Sequence, residues 1–122
     1  MKNSFVMQFP LDEKYFVSLR LATAGVCDVA GLDVEKTEDF KLCVAEACLS
    51  LMRAGYSVAR VAICGDDGMR ARVEGVGDCE TAPKLSDEGE NFTLSLLQEL
   101  VDDVQMERVD GKIRYIEMKA KA

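Results

Sequence analysis

Over residues 38–57 the chain reads EDFKLCVAEACLSLMRAGYS. Phe40, Val44, Ala47 and Leu51 fall on one helical stripe, and Leu42, Leu49, Met52 and Tyr56 on a second. A helix that is apolar on two sides is covered on two sides, so this segment is predicted to be the centre of the fold. Asp33 stands as its N-cap, Glu35, Glu38 and Asp39 crowd its positive end, and Gly55 and Ser57 mark its exit. Glu46 is the only acid between Asp39 and Asp66. A carboxylate in so apolar a run reaches water through a cleft, finds a partner, or lies on a polar strip with Lys41, Ser50 and Arg53.

The rest of the pattern is shorter in period. Residues 5–9 (FVMQF) read as a strand closed by Pro10, at a sheet edge because Pro cannot donate to a ladder. Asp12 caps a first helix with Glu13 in its first turn. That helix carries Tyr15, Phe16, Leu19, Ala22 and Val26 and ends at Gly31. Residues 58–64 and 69–76 alternate and are joined at Asp66-Asp67-Gly68, a hairpin signal. On the return strand Arg70, Arg72 and Glu74 share one face, and Ala71, Val73 and Gly75 the other. Residues 77–89 have no apolar period and read as a long loop of the kind that serves as a lid or binding segment. Residues 92–101 read as a helix through Phe92, Leu96, Leu97, Leu100 and Val101. Residues 104–109 and 113–118 then form a hairpin turning at Asp110-Gly111. Paired strands with helices between them predict an α+β fold: a two-layer sandwich with one mostly antiparallel sheet and three helices on one face.

Composition narrows the function. At 122 residues and 48% hydrophobic the chain suits a single domain spanning residues 1–122. Acids outnumber bases, 22 to 15, for a net charge of -7, which opposes nucleic acid and anionic membrane surfaces and suits a basic or neutral protein partner. There is no His, so His-based triads and the usual zinc sites are excluded. The five cysteines are odd in number and include no C-x-x-C. Cys27, Cys43 and Cys48 lie in apolar helical patterns, as reduced buried thiols of a cytoplasmic protein do. The start MKNSFVMQFP has no signal-peptide pattern, and no apolar run reaches membrane-spanning length.

The element order, with Glu46 on the second helix and a loop before the third, resembles the GHKL ATPase (Bergerat) fold, and most closely the bacterial anti-sigma-factor serine kinases. The likeness covers almost the whole chain. FPLDEKYFVSLRLATAGVCDVAGLD is similar to that family's first strand and helix, EDFKLCVAEACLSLMRAGY to its E-A-x-x-N helix, and LVDDVQMERVDGKIRYIEMKAK to its closing hairpin. The resemblance implies ATP and Mg²⁺ as cofactors and Glu46 as catalytic general base toward the hydroxyl that attacks the γ-phosphate. Ser50 stands where the family has its Mg²⁺-binding Asn. Glu74, Gly75 and Gly77 fall on its D-x-G-x-G run, with Glu74 as acceptor for the adenine amino group. A one-residue shift puts Gly75 and Gly77 on the two glycines and loses the acid. Gly89 and Asn91 fall on the G-x-G at the start of the last helix. These departures, with Asp78, Glu88 and Glu90 adding negative charge near the phosphates, imply a degenerate ATP site. The expected function is regulation by binding a protein partner, a sigma factor or an anti-sigma antagonist. The alternative is an active serine/threonine kinase acting on that antagonist. Dimers are common in the family, which makes a homodimer an expectation as well.

Overall fold

The computed structural model describes residues 3–65, 68–77 and 87–120. Among them are five strands and three α-helices: β1 (Phe5–Pro10), α1 (Phe16–Val29), α2 (Val34–Ala54), β2 (Val58–Cys64), β3 (Met69–Val76), α3 (Asp87–Leu100), β4 (Asp103–Val109) and β5 (Lys112–Ala120). The strands form one sheet in the order β1-β2-β3-β5-β4, every neighbouring pair antiparallel. The expected α+β architecture is therefore observed, with β1 at an edge. None of the helices among the described residues is long and apolar enough to cross a membrane.

Side-chain alternation fixes which face is covered. Ala59, Val61 and Ile63 of β2, Met69, Ala71 and Val73 of β3, and Ile116 and Met118 of β5 are buried and pair across the ladders. They meet Phe40, Val44, Ala47 and Leu51 of α2, all fully buried, so the first predicted stripe is the core stripe. The second is only half right: Tyr56 is buried, but Leu42 is 43% exposed. Cys43, Ala45, Cys48 and Ser50 are buried in its place, because α2 lies between α1 and α3 as well as on the sheet. Small side chains let three neighbours approach one helix.

The helix ends follow their cap chemistry. Asp33 accepts from the Lys36 amide at 2.8 Å, and Gly55 closes α2 with φ at 109° while the Tyr56 amide reaches back to the Leu51 carbonyl at 3.1 Å. Asp12 caps a single 3₁₀ turn, Glu13–Tyr15, that leads into α1. Helix α2 stops at Ala54, at the exit that Gly55 marks, because the left-handed glycine cannot continue it. The start of α3 differs from the sequence reading: it begins at Asp87, five residues before Phe92. Phe92 itself is 70% exposed, and the buried line of α3 is Thr93, Leu97 and Val101.

Candidate functional site

Helix α2 packs against α1, α3 and the sheet. Asp39, Cys43, Glu46 and Ser50 share one side of it, at spacings of four, three and four residues. At the lower end Asp39 shares a cavity of about 380 Å³ with Leu100 and Val101. Glu46 is half-buried and forms no hydrogen bond or ion pair with another described residue. Lys41, its expected neighbour on a polar strip, instead pairs with Glu38 at 3.0 Å. Burial pushes the Cys43 thiol up to about 12, with Asp39 and Glu46 adding to the rise. Glu46 therefore shares its side of α2 with Cys43, one turn earlier.

Ser50 is not on a polar strip. It is 1% exposed, and its Oγ has no hydrogen-bond partner among the described residues. A buried hydroxyl left unsatisfied costs about 1–3 kcal/mol, so this position carries a polar atom that the packing alone does not explain. The sequence could not show this, because a serine on a helix is read as surface by default.

The end of β3 holds the next three expected residues and separates them. Glu74 lies on the open face of the sheet, away from the helices, between Arg60 at 3.5 Å and Arg72 at 3.4 Å. Gly75 is on the helix side, where an added Cβ would stand 2.5 Å from the Tyr56 ring. Gly77 has φ at 81°, and an added Cβ would meet nothing within 4 Å. The two glycines are thus glycine for different reasons: Gly75 to admit a ring, Gly77 to adopt a left-handed backbone. Gly75 thus lies on the helix side of the sheet and Glu74 on the open face.

Two contacts have no signal in the apolar pattern. The β4–β5 register shifts between Glu107 and Arg108, so Glu107 pairs with Tyr115 and Arg108 with Ile113, and Arg114 is skipped. The Arg114 guanidinium then donates to the Gly77 carbonyl at 3.2 Å, beyond the last β3–β5 pair at Glu74 and Tyr115. Tyr56 over Gly75 is the second. An aromatic directly after a helix-ending glycine is the one hint of it in the sequence. Gly89 falls in the first turn of α3. The side chain of Asn91 and most of the expected lid, residues 78–86, lie outside the described residues.

No family model matches the chain. Among curated proteins it is similar to the Serine-protein kinase RsbW of Bacillus mycoides, 27% identical over 95 residues, covering 78% of this chain and 55% of that protein. It is also similar to the Serine-protein kinase RsbW of Bacillus cereus, 25% identical over 126 residues, covering 86% of this chain and 78% of that protein. The chain thus spans about half the length of the first of these relatives.

Proposed function

We propose that this protein is a regulator similar to the anti-sigma-factor serine kinases, acting by binding a sigma factor or an anti-sigma antagonist, with an ATP site that has lost its contacts. The similarity to proteins named serine-protein kinases supports the family side of this reading. The observation that carries the rest is the setting of Ser50.

Magnesium keeps several waters and demands near-octahedral oxygen ligands, so a protein ligand must open onto a wet site. The Ser50 hydroxyl is short and sealed from solvent. Glu74, the expected adenine partner, is engaged by two arginines on the opposite face. The shifted register fits the faces better, since Gly75 and Gly77 then take the glycine positions. It sets Val73, fully buried, where the family has its acid. A valine cannot accept from an amino group. The residues present therefore do not fit a magnesium nucleotide, and what remains of the family's machinery is the scaffold that holds a partner.

A second reading, an active ATP-dependent serine kinase acting on an anti-sigma antagonist, is favoured by Glu46. The family alignment sets its carboxylate at the general-base position, and it is not tied to any other described residue. Size-exclusion chromatography of the purified chain with each sigma factor and antagonist of its host separates the two. The binding reading expects one stable complex with or without Mg-ATP. Absence of any complex, together with transfer of ³²P from ATP to an antagonist serine, would replace it with the kinase reading. Light scattering on the same material reports whether the chain is a homodimer.

A further inference from the structure

The face of the sheet that the helices leave open carries its own arrangement of charge. Glu74 is held by Arg60 and Arg72, Glu117 by Arg72 at 2.9 Å, and Glu107 accepts from the Tyr115 hydroxyl. The Arg72 guanidinium also lies 3.9 Å from the centre of the Tyr115 ring. One row along, this pattern breaks. Arg70 of β3 and Lys119 of β5 are direct cross-strand partners, and neither side chain forms an ion pair with another described residue. Asp103 of β4 is paired in register with Lys119 and makes no ion pair with another described residue either.

Like charges directly opposite on neighbouring strands are unfavourable. The chain has 22 acids for 15 bases, so an acid for this place was not scarce. The two cations border a cavity of about 310 Å³, with Gln105, Glu117 and Asp103 on its walls. Glu117 is already committed to Arg72. What the cavity offers is therefore a guanidinium fork, an ammonium and a side-chain amide from three strands, with Glu117 paired to Arg72 and Asp103 as the opposing charge left unpaired among the described residues. Arg and Lys placed so recognise a compact oxyanion, the first by its paired N–H groups and the second as a point charge.

We propose that Arg70 and Lys119 form an oxyanion-binding site on the open face of the sheet, on the opposite side from α2 and independent of Glu46 and Ser50. The ligand chemistry is a carboxylate or phosphate group, carried either by free inorganic phosphate or by an acidic side chain of a protein partner. Asp103 weakens the site and sets its selectivity against larger or more highly charged anions.

The test is a ¹⁵N-resolved NMR titration of the whole chain at constant ionic strength. One arm adds sodium phosphate against a sodium chloride control, and the other adds a glutamate-rich peptide. The expected result is a saturable shift centred on Arg70, Lys119 and Gln105. It is lost in Arg70→Gln and in Lys119→Gln, and the midpoint falls several-fold in Asp103→Asn. Saturation by phosphate alone assigns a free anion, and tighter saturation by the peptide assigns a partner's side chain. Both variants remove a repulsion at an outward-facing position, and their spectra in chloride confirm that they fold. A response to phosphate no larger than to chloride overturns the assignment, as does one that survives both Gln variants or weakens in Asp103→Asn.

Discussion

The Tyr56 ring occupies the place of a β-carbon on Gly75: the nearest ring atom is 2.5 Å from where that carbon would be. Tyr56 is 6% exposed and follows the glycine that ends α2. Gly75 sits in β3 opposite Ala59, another small residue. This contact locks the exit of the central helix onto the sheet at the rim of the candidate site. A glycine that a motif would assign to nucleotide approach is accounted for by packing.

Gly75→Ala is therefore expected to destabilise the fold by about 1–3 kcal/mol, the usual cost of forcing a methyl into a filled space. The same substitution in a Tyr56→Leu background is expected to cost less, because the ring that it strikes is gone. Urea unfolding of the four proteins gives the coupling energy directly. Additive effects would mean that the two positions do not touch.

Ser50→Ala is expected to leave stability unchanged or raise it by about 1 kcal/mol, since it removes an unsatisfied hydroxyl and adds the best helix former. Urea midpoints measure it. A loss of comparable size would show that the hydroxyl has a partner in solution.

Thiol ionisation gives the fold an alkaline limit. Burial raises Cys27, and pushes Cys43 and Cys48 up to about 12 from the ordinary value of 9.0. The folded chain then holds thiol protons that the unfolded chain releases. That contribution is complete below pH 9.0 and is lost as the pH rises toward about 12. Denaturant midpoints are expected to be flat with respect to these groups at neutral pH and to fall above that value. At neutral pH the three thiols are expected to resist iodoacetamide until urea unfolds the chain.

On the open face, Arg72→Ala removes the ion pair to Glu117, the contact with Glu74 and the stacking on Tyr115 together. Exposed pairs contribute about 0.2–1 kcal/mol each and a cation over a ring about 0.5–1, so a loss of about 1–2 kcal/mol is expected, smaller at high salt. Arg72→Lys is expected to recover only part of it, because an ammonium cannot serve two carboxylates in fixed planes.

The sequence carried much of this and concealed the rest for identifiable reasons. Asp33 and Gly55 declared the ends of α2, and alternation in β3 put Arg70, Arg72 and Glu74 on one face. That alternation already opposed placing Glu74 in a site beside α2. Glu74 does lie on the open face, whereas the motif alignment sets it beside the nucleotide. For Ser50 and Phe92, residue type alone does not tell position. The serine is buried where α2 is enclosed on three sides, and the phenylalanine is exposed on α3. The bulge at Arg114 depends on register between two strands, which no single-strand pattern contains.

The central claim, a family scaffold whose nucleotide site no longer functions, is tested most directly by the melting temperature with and without millimolar Mg-ATP. The measurement is made on the wild-type chain and on Glu46→Ala. A ligand at a hundred times its dissociation constant would add about 2.7 kcal/mol of stability. The expected result is no shift in either protein. A saturable rise in the wild type that disappears in Glu46→Ala would contradict it.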